Sequence, residues 1–425
     1  MIHFLFFLFA FSAYSSVRPI DERLNSYIEE FNLTPVRSPG QRNQKLFILG
    51  RNLFHEKALS GNNNIRCEDC HHPRVMTQEG IPLSVGEGST GIQFGTTTRQ
   101  QGSARVLARN TPALFNLHNV DVMFWDGRVE HNPETGEFKL PLFLRADIAA
   151  TLKSALAAQA IFPIVDHDEM RGLKGSNPIA DANDEHEAWD LIVERILNIP
   201  GYDESFTELY PGEKINIGHI GEALAEFQGQ NFFFADTPFD RYIQGNKEAL
   251  SLKQKQGMDI FFNKGKCGDC HNGEHLSALD YDGVGAPQIG PGKQEGDDYG
   301  RYQWDGDEGS KYAFRVPPLR NAGLTAPYFH NGSMKSLEAV VDHYNDIKLS
   351  LESYRIIEVF ANYLKPLNDH DHSTNEVRYF NLPEDLPLKL HLSNDEKDSL
   401  VDFLRSGLTD MRLQSFINGG PTLAQ

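Results

Sequence analysis

The chain of 425 residues has little cysteine, little tryptophan and no excess of positive charge. It holds four Cys and three Trp, and 40 Lys and Arg stand against 59 Asp and Glu, a formal charge of −19. Phosphate backbones are bound through a basic face, so this balance argues against nucleic acid as a partner. It equally disfavours docking on an anionic membrane. No stretch reaches ~18 consecutive apolar residues, so no membrane span is expected in the mature chain. What is present is ordinary for a globular protein, with 40% hydrophobic and 23% charged residues. The length points to two or three domains of ~100–200 residues each. The 36 Gly and 22 Pro point to long ordered loops.

One apolar run stands at the start, Phe4 to Ala13, followed by Tyr14, Ser15 and Ser16. It is too short for a bilayer, which needs ~20 residues. It reads as the core of a secretory signal peptide over residues 1–16, although His3 is the only candidate for a positive leader. The start of a buried strand or helix is the alternative.

The few cysteines are informative because all four fall into one pattern. Cys67-Glu68-Asp69-Cys70-His71 and Cys267-Gly268-Asp269-Cys270-His271 are both C-x-x-C-H. This spacing is that of c-type haem attachment. Two thiols one short turn apart add to the vinyl groups of one haem, and the adjacent His is held beneath the iron. A redox dithiol does not require the His. A zinc site would pair two such knuckles, yet Cys67 and Cys267 lie far apart in the chain. Two covalent haems are therefore expected, with no cysteine left for a disulfide. Such attachment takes place outside the cytoplasm, in agreement with the leader, and the expected location is periplasmic.

Other features recur with the haem motif. Gly50-Arg51-Asn52-Leu53-Phe54 and Gly257-Met258-Asp259-Ile260-Phe261 precede the two sites. Arg109-Asn110 and Arg320-Asn321 follow them, as do Phe124-Trp125-Asp126-Gly127 and Phe329-His330-Asn331-Gly332. The fold expected is mainly α, with two cytochrome c-like haem domains and long loops, over residues 17–235 and 246–410. Residues 236–245 (DTPFDRYIQG) are the expected linker. Helices are expected over Gln41–Glu56, Ile148–Ile161, Glu187–Leu197, Ile217–Phe227 and Ser251–Phe262. Ser251 is the N-cap of the last, with Gln254 three residues on. Strand signals are weak. Tyr281–Ser310 reads as a surface loop whose Asp297, Asp298, Asp305, Asp307 and Glu308 are expected in solvent.

The chain resembles the bacterial dihaem cytochrome c peroxidases, and within them the MauG-like branch, over roughly residues 40 to 405. The resemblance is carried by the two haem motifs, by Arg109-Asn110-Thr111-Pro112 and by Phe124-Trp125-Asp126-Gly127-Arg128. Two longer segments add to it, Gln159 to Met170 (QAIFPIVDHDEM) and Val316 to Ser333 (VPPLRNAGLTAPYFHNGS). It implies that His71 binds the peroxide iron and that the second haem, on His271, handles electrons. Glu169 matches the family's acid/base, and Gln159 with Pro163 fits the distal pocket of the MauG-like branch. A pocket carboxylate is expected to have a raised pKa. Many relatives block the peroxide iron with a His in a Gly-His-Gly stretch, and the comparable residues here are Gly86-Glu87-Gly88.

For the second iron, Met334, His330, His343 and Tyr344 are candidate sixth ligands. The resemblance favours Tyr344. A phenolate would stabilise the higher oxidation states, where Met would raise the potential. A packed helix aromatic is the other reading of Tyr344. Trp125 matches the family's relay between haems, and its indole also suits an interdomain core. Asn110, Thr325 and Pro327 match the donors of one Ca²⁺, a hard cation suited to oxygen ligands.

Two functions of different class follow. One is a dihaem c-type peroxidase that reduces hydrogen peroxide at the N-terminal haem. Its electrons would come from a small redox protein, a c-type cytochrome or a copper protein, or in MauG fashion from side chains of a protein substrate. The other is a dihaem electron-transfer protein without turnover. A homodimer fits the family.

Overall fold

The computed structural model describes residues 19–92, 99–100, 105–290, 292–293, 297–354, 382 and 386–414. The expected signal segment lies outside the described residues. Among the described residues, helices dominate and every strand is two to four residues long. Two large apolar cores are formed. One holds Phe47, Leu53, Phe54, Trp189, Phe206 and Phe227, and the other Leu24, Phe239, Tyr242, Phe261 and Phe403.

Each core is built on one helix crossing, and the repeated glycine explains both. Helix Gln44–Phe54 packs on helix Ile217–Asn231, and a Cβ on Gly50 would lie 1.8 Å from the Ala223 carbonyl oxygen. Helix Leu252–Phe262 packs on helix Asn394–Asp402, and a Cβ on Gly257 would lie 2.1 Å from the Ser399 carbonyl oxygen. Only a residue without a side chain lets the backbones approach so closely. The Phe four residues on, Phe54 or Phe261, then fills the core, at 2% and 1% exposure. The Ser251 hydroxyl accepts from the Gln254 amide, and Gln254 returns a bond to Ser251, the capping box that the spacing predicts.

The repeat extends to backbone conformation. Phe124 and Phe329, which open the F-W-D-G and F-H-N-G segments, both adopt φ of 67°.

Three expectations differ in detail. The Ala-rich stretch expected as one helix is two, Ala146–Thr151 and Ala155–Ala160. Ser154 ends the continuity by capping the second, its hydroxyl accepting from the Ala157 amide at 3.1 Å. Composition reads through such a break because Ala and Leu favour helix on both sides. The segment expected as a linker holds helix Pro238–Ile243, capped by Thr237, with Phe239 and Tyr242 fully buried in the second core. Helix Ile20–Glu30 also packs there, with Arg23 bound to Asp259 at 2.8 Å and the Tyr27 hydroxyl donating to the same carboxylate. Of the acidic loop, Asp305, Asp307 and Glu308 are exposed as expected. Asp297 and Asp298 are not. Asp297 is buried and accepts from the Tyr312 hydroxyl, and Asp298 is 1% exposed and paired with Arg109, whose charge makes its burial tolerable.

Candidate haem and peroxide site

The first haem motif opens onto a cavity of about 540 Å³, a volume suited to a large planar cofactor. Cys67, Cys70 and His71 form one side, and Gln159, Pro163 and Glu169 are in the same lining. The His71 ring donates through Nδ1 to the Thr77 carbonyl at 2.9 Å. That bond sets the tautomer and leaves Nε2 to ligate a metal. The second motif repeats the device, with His271 Nδ1 on the Leu276 carbonyl at 2.9 Å. Burial pushes the His271 pKa down to about 4, which keeps it a neutral ligand. Burial also pushes the Cys67 and Cys267 thiols up to about 12. A redox dithiol needs the opposite, a stabilised thiolate. These residues fit covalent c-type haem.

Glu169 sits in a π-helical turn, His167–Arg171. Such turns are rare and common at functional sites. The turn is held firmly: the Asp166 side chain caps it, Gly61 N–H donates to the Met170 carbonyl, and the Arg171 guanidinium donates to the Ile179 and Ala182 carbonyls. Burial pushes the Glu169 carboxyl up to about 7, Asp166 adds repulsion, and Lys293 and Arg128 oppose both. A group of that pKa can take and return a proton near neutrality. Gln159 ends helix Ala155–Ala160, and Pro163 opens the next short turn. Trp189 fixes the connection between them, its indole N–H donating to the Ile161 carbonyl at 3.0 Å. Glu87 lies beside this wall through its amide on the Asp168 carbonyl, while its carboxylate accepts from Asn62 and Asn64.

Trp125 lines the cavity and donates its indole N–H to the Asn110 carbonyl at 2.8 Å. Its own carbonyl accepts from the Arg315 amide at 2.7 Å, so it stands where the two sequence halves meet.

Around the second motif the four candidate ligands separate. Both ring nitrogens of His343 are engaged. Nε2 donates to the Val284 carbonyl, so Nδ1 accepts from the Ser350 hydroxyl. His330 stacks on Phe314 at 3.6 Å, and Met334 is buried with its backbone bonded to Tyr328. Tyr344 lies close enough to Cys267, Cys270 and Asp282 for their charges to raise its phenol pKa, with burial the larger cause.

Of the residues matched to Ca²⁺, Asn110 and Pro327 meet. The Asn110 amide nitrogen donates to the Pro327 carbonyl at 3.0 Å, while its Oδ1 is buried without a partner. Rotating that amide would aim two oxygens at one point, an arrangement a hard cation satisfies. Thr325 lines the adjoining cavity wall.

Sequence reasoning missed the charge network behind the cavity. Arg109 binds Asp298 and Asp126 at 2.6 Å each, and Arg128 binds Asp126 at 3.0 Å. The recurring Arg-Asn pairs were a signal of it. Arg320, the counterpart of Arg109, is also buried on a carboxylate, Asp240, at 2.7 Å.

The sequence profile of the family described as di-haem cytochrome c peroxidase matches residues 44–248. The methylamine utilization protein MauG of Methylorubrum extorquens is 29% identical over 299 residues, 70% of this chain and 67% of that protein. The cytochrome c551 peroxidase of Pseudomonas aeruginosa is 28% identical over 296 residues, 69% of each chain. The solved diheme peroxidase BthA from Burkholderia thailandensis shares the fold, with a TM-score of 0.61 and 19% identity over 92% of this chain and 94% of that one. With two attachment motifs, a repeated histidine–carbonyl bond and these relatives, the chain is similar to the dihaem cytochrome c peroxidases, by the family profile over residues 44–248 and by the relatives over about 70% of its length.

Proposed function

We propose that the protein reduces hydrogen peroxide at the haem of Cys67–His71 and draws electrons through the haem of Cys267–His271. The reading rests above all on Glu169, a carboxyl raised to about 7 that lines the same cavity as His71. Bound there, a haem supplies an iron on which peroxide can be cleaved. The protein residues manage the protons. As carboxylate, Glu169 takes the proton of the oxygen nearer the metal. It then gives that proton to the departing oxygen, so the O–O bond breaks to release water. Gln159 orients the peroxide by hydrogen bonding. His71 stays fixed through Thr77, and Trp125 is the relay between the units. Two electrons and two further protons complete the conversion to water.

The division into haem units at 17–235 and 246–410, the Tyr344 ligation, a Ca²⁺ at Asn110, Thr325 and Pro327, and a periplasmic location belong to the same proposal. The location is supported by the haem chemistry. Among the described residues no helix is long and apolar enough to cross a membrane. The electron donor is a small redox protein. A second reading, oxidation of a partner protein's side chains, is favoured by one observation, the Tyr344 phenol beside the second motif.

The test is one equivalent of hydrogen peroxide added to the fully ferric, reductant-free protein, followed by EPR and near-infrared absorption. Loss of both ferric signals supports an open first site and Tyr344 on the second. No reaction until one haem is reduced means a blocked first iron and removes the Tyr344 reading.

A further inference from the structure

Six arginines line the cavity at the first motif: Arg66, Arg105, Arg109, Arg128, Arg315 and Arg320. Five face a carboxylate. Arg66 meets Asp69, Arg105 meets Asp168, Arg109 meets Asp126 and Asp298, Arg128 meets Asp126, and Arg320 meets Asp240. Arg315 faces none among the described residues. It is 6% exposed, its Nε donates to the Phe124 carbonyl at 3.1 Å, and its Nη1 is buried without a partner. Burial pushes its pKa down to about 10, and among the described residues the Tyr281 hydroxyl opposes that.

Nothing about Arg315 is loose. Its amide is tied to the Trp125 carbonyl at 2.7 Å, and its strand, Phe314–Arg315, pairs with Tyr281–Asp282. A desolvated guanidinium held this firmly, with no counter-charge, is poorly stabilised by protein alone. Its planar fork is shaped for a carboxylate. The group that the first motif would bind brings carboxylates with it, since a haem anchored by thioethers and a histidine carries two propionates.

We propose that Arg315 binds a propionate of the haem attached at Cys67 and Cys70, an ion pair made across the two sequence halves. The proposal rests on haem attachment at the first motif and not on the peroxide chemistry. Arg315 is then a cofactor-binding residue, and its charge favours the reduced state of that iron.

The test uses the holoprotein and the variants Arg315→Gln and Arg315→Lys, without peroxide. Haem content is measured first. Reductive titration, the propionate-bending bands in resonance Raman spectra and a holoprotein crystal structure follow. The expected result for Arg315→Gln is two haems retained, a lower potential for the first haem and shifted propionate bands. Arg315→Lys should restore most of the potential but not the bands of a forked contact. The crystal structure should place a propionate within hydrogen-bond reach of the guanidinium. Unchanged bands and potentials in a loaded Arg315→Gln variant overturn the proposal, as does a shift at the second haem instead. Should Arg315→Gln not accumulate, wild-type bands in Arg315→Lys overturn it. A wild-type protein without haem at Cys67 and Cys70 overturns both the proposal and the attachment reading.

Discussion

Glu169 is the residue whose environment and chemistry are most tightly linked. Its carboxyl stands near 7 because burial disfavours its charge. In the proposed role the carboxylate must be present to accept the first proton. The kcat/KM for peroxide should therefore fall as pH drops through about 7, and that limb should be absent in Glu169→Gln. The same variant should lose about 10²–10⁴-fold in rate, the usual contribution of a positioned acid/base. Stopped-flow peroxide consumption across the pH range checks both. Full turnover in the variant would remove the role. In the proposed ligation of the second haem by Tyr344, Tyr344→Met would exchange an anionic donor for a thioether. Redox titration should show a raised potential for that haem. An unchanged potential would leave Tyr344 a packed aromatic.

At the scale of the element, the two glycine crossings dominate. A methyl group at Gly50 or Gly257 would sit 1.8 or 2.1 Å from a carbonyl oxygen of the facing helix, so the helices must part. Overpacking of this kind costs about 1–3 kcal/mol, and both Gly50→Ala and Gly257→Ala should show it in denaturant titrations. Phe54 rides on the first crossing and lines the haem cavity, so Gly50→Ala should also broaden the spectrum of the first haem. The break between helices Ala146–Thr151 and Ala155–Ala160 works in the same direction. It frees the second helix to present Gln159 to the cavity. Loss of the cap in Ser154→Ala should cost about 1 kcal/mol.

At the scale of the molecule, the halves are joined by buried charge. Burial acts to raise the Asp298 carboxyl, but the Arg109 guanidinium outweighs it, and the group titrates below the ordinary range. A carboxylate with a depressed pKa stabilises the fold above its unfolded value. That contribution is lost as pH falls through the folded one. Asp298→Asn leaves Arg109 short of a partner and should cost about 3–5 kcal/mol near neutrality. Its gap to the wild type should narrow in acid, as chemical denaturation at a series of pH values would show.

The two attachment motifs, the helical class and the recurring Gly-x-x-x-Phe were legible in the sequence, because each is written in local spacing. C-x-x-C-H needs only neighbouring residues, and the recurring Gly and Phe mark one helix turn. Glu169 and Gln159 were legible only through a motif, since nothing local separates a pocket carboxylate from a solvated one. Asp298 read as solvent-exposed until the fold set Arg109 against it, 189 positions away in the chain. The unsatisfied charge of Arg315 and the orphaned oxygen of Asn110 were likewise invisible. Burial and partnership depend on which distant segments meet, and only the tertiary structure decides that.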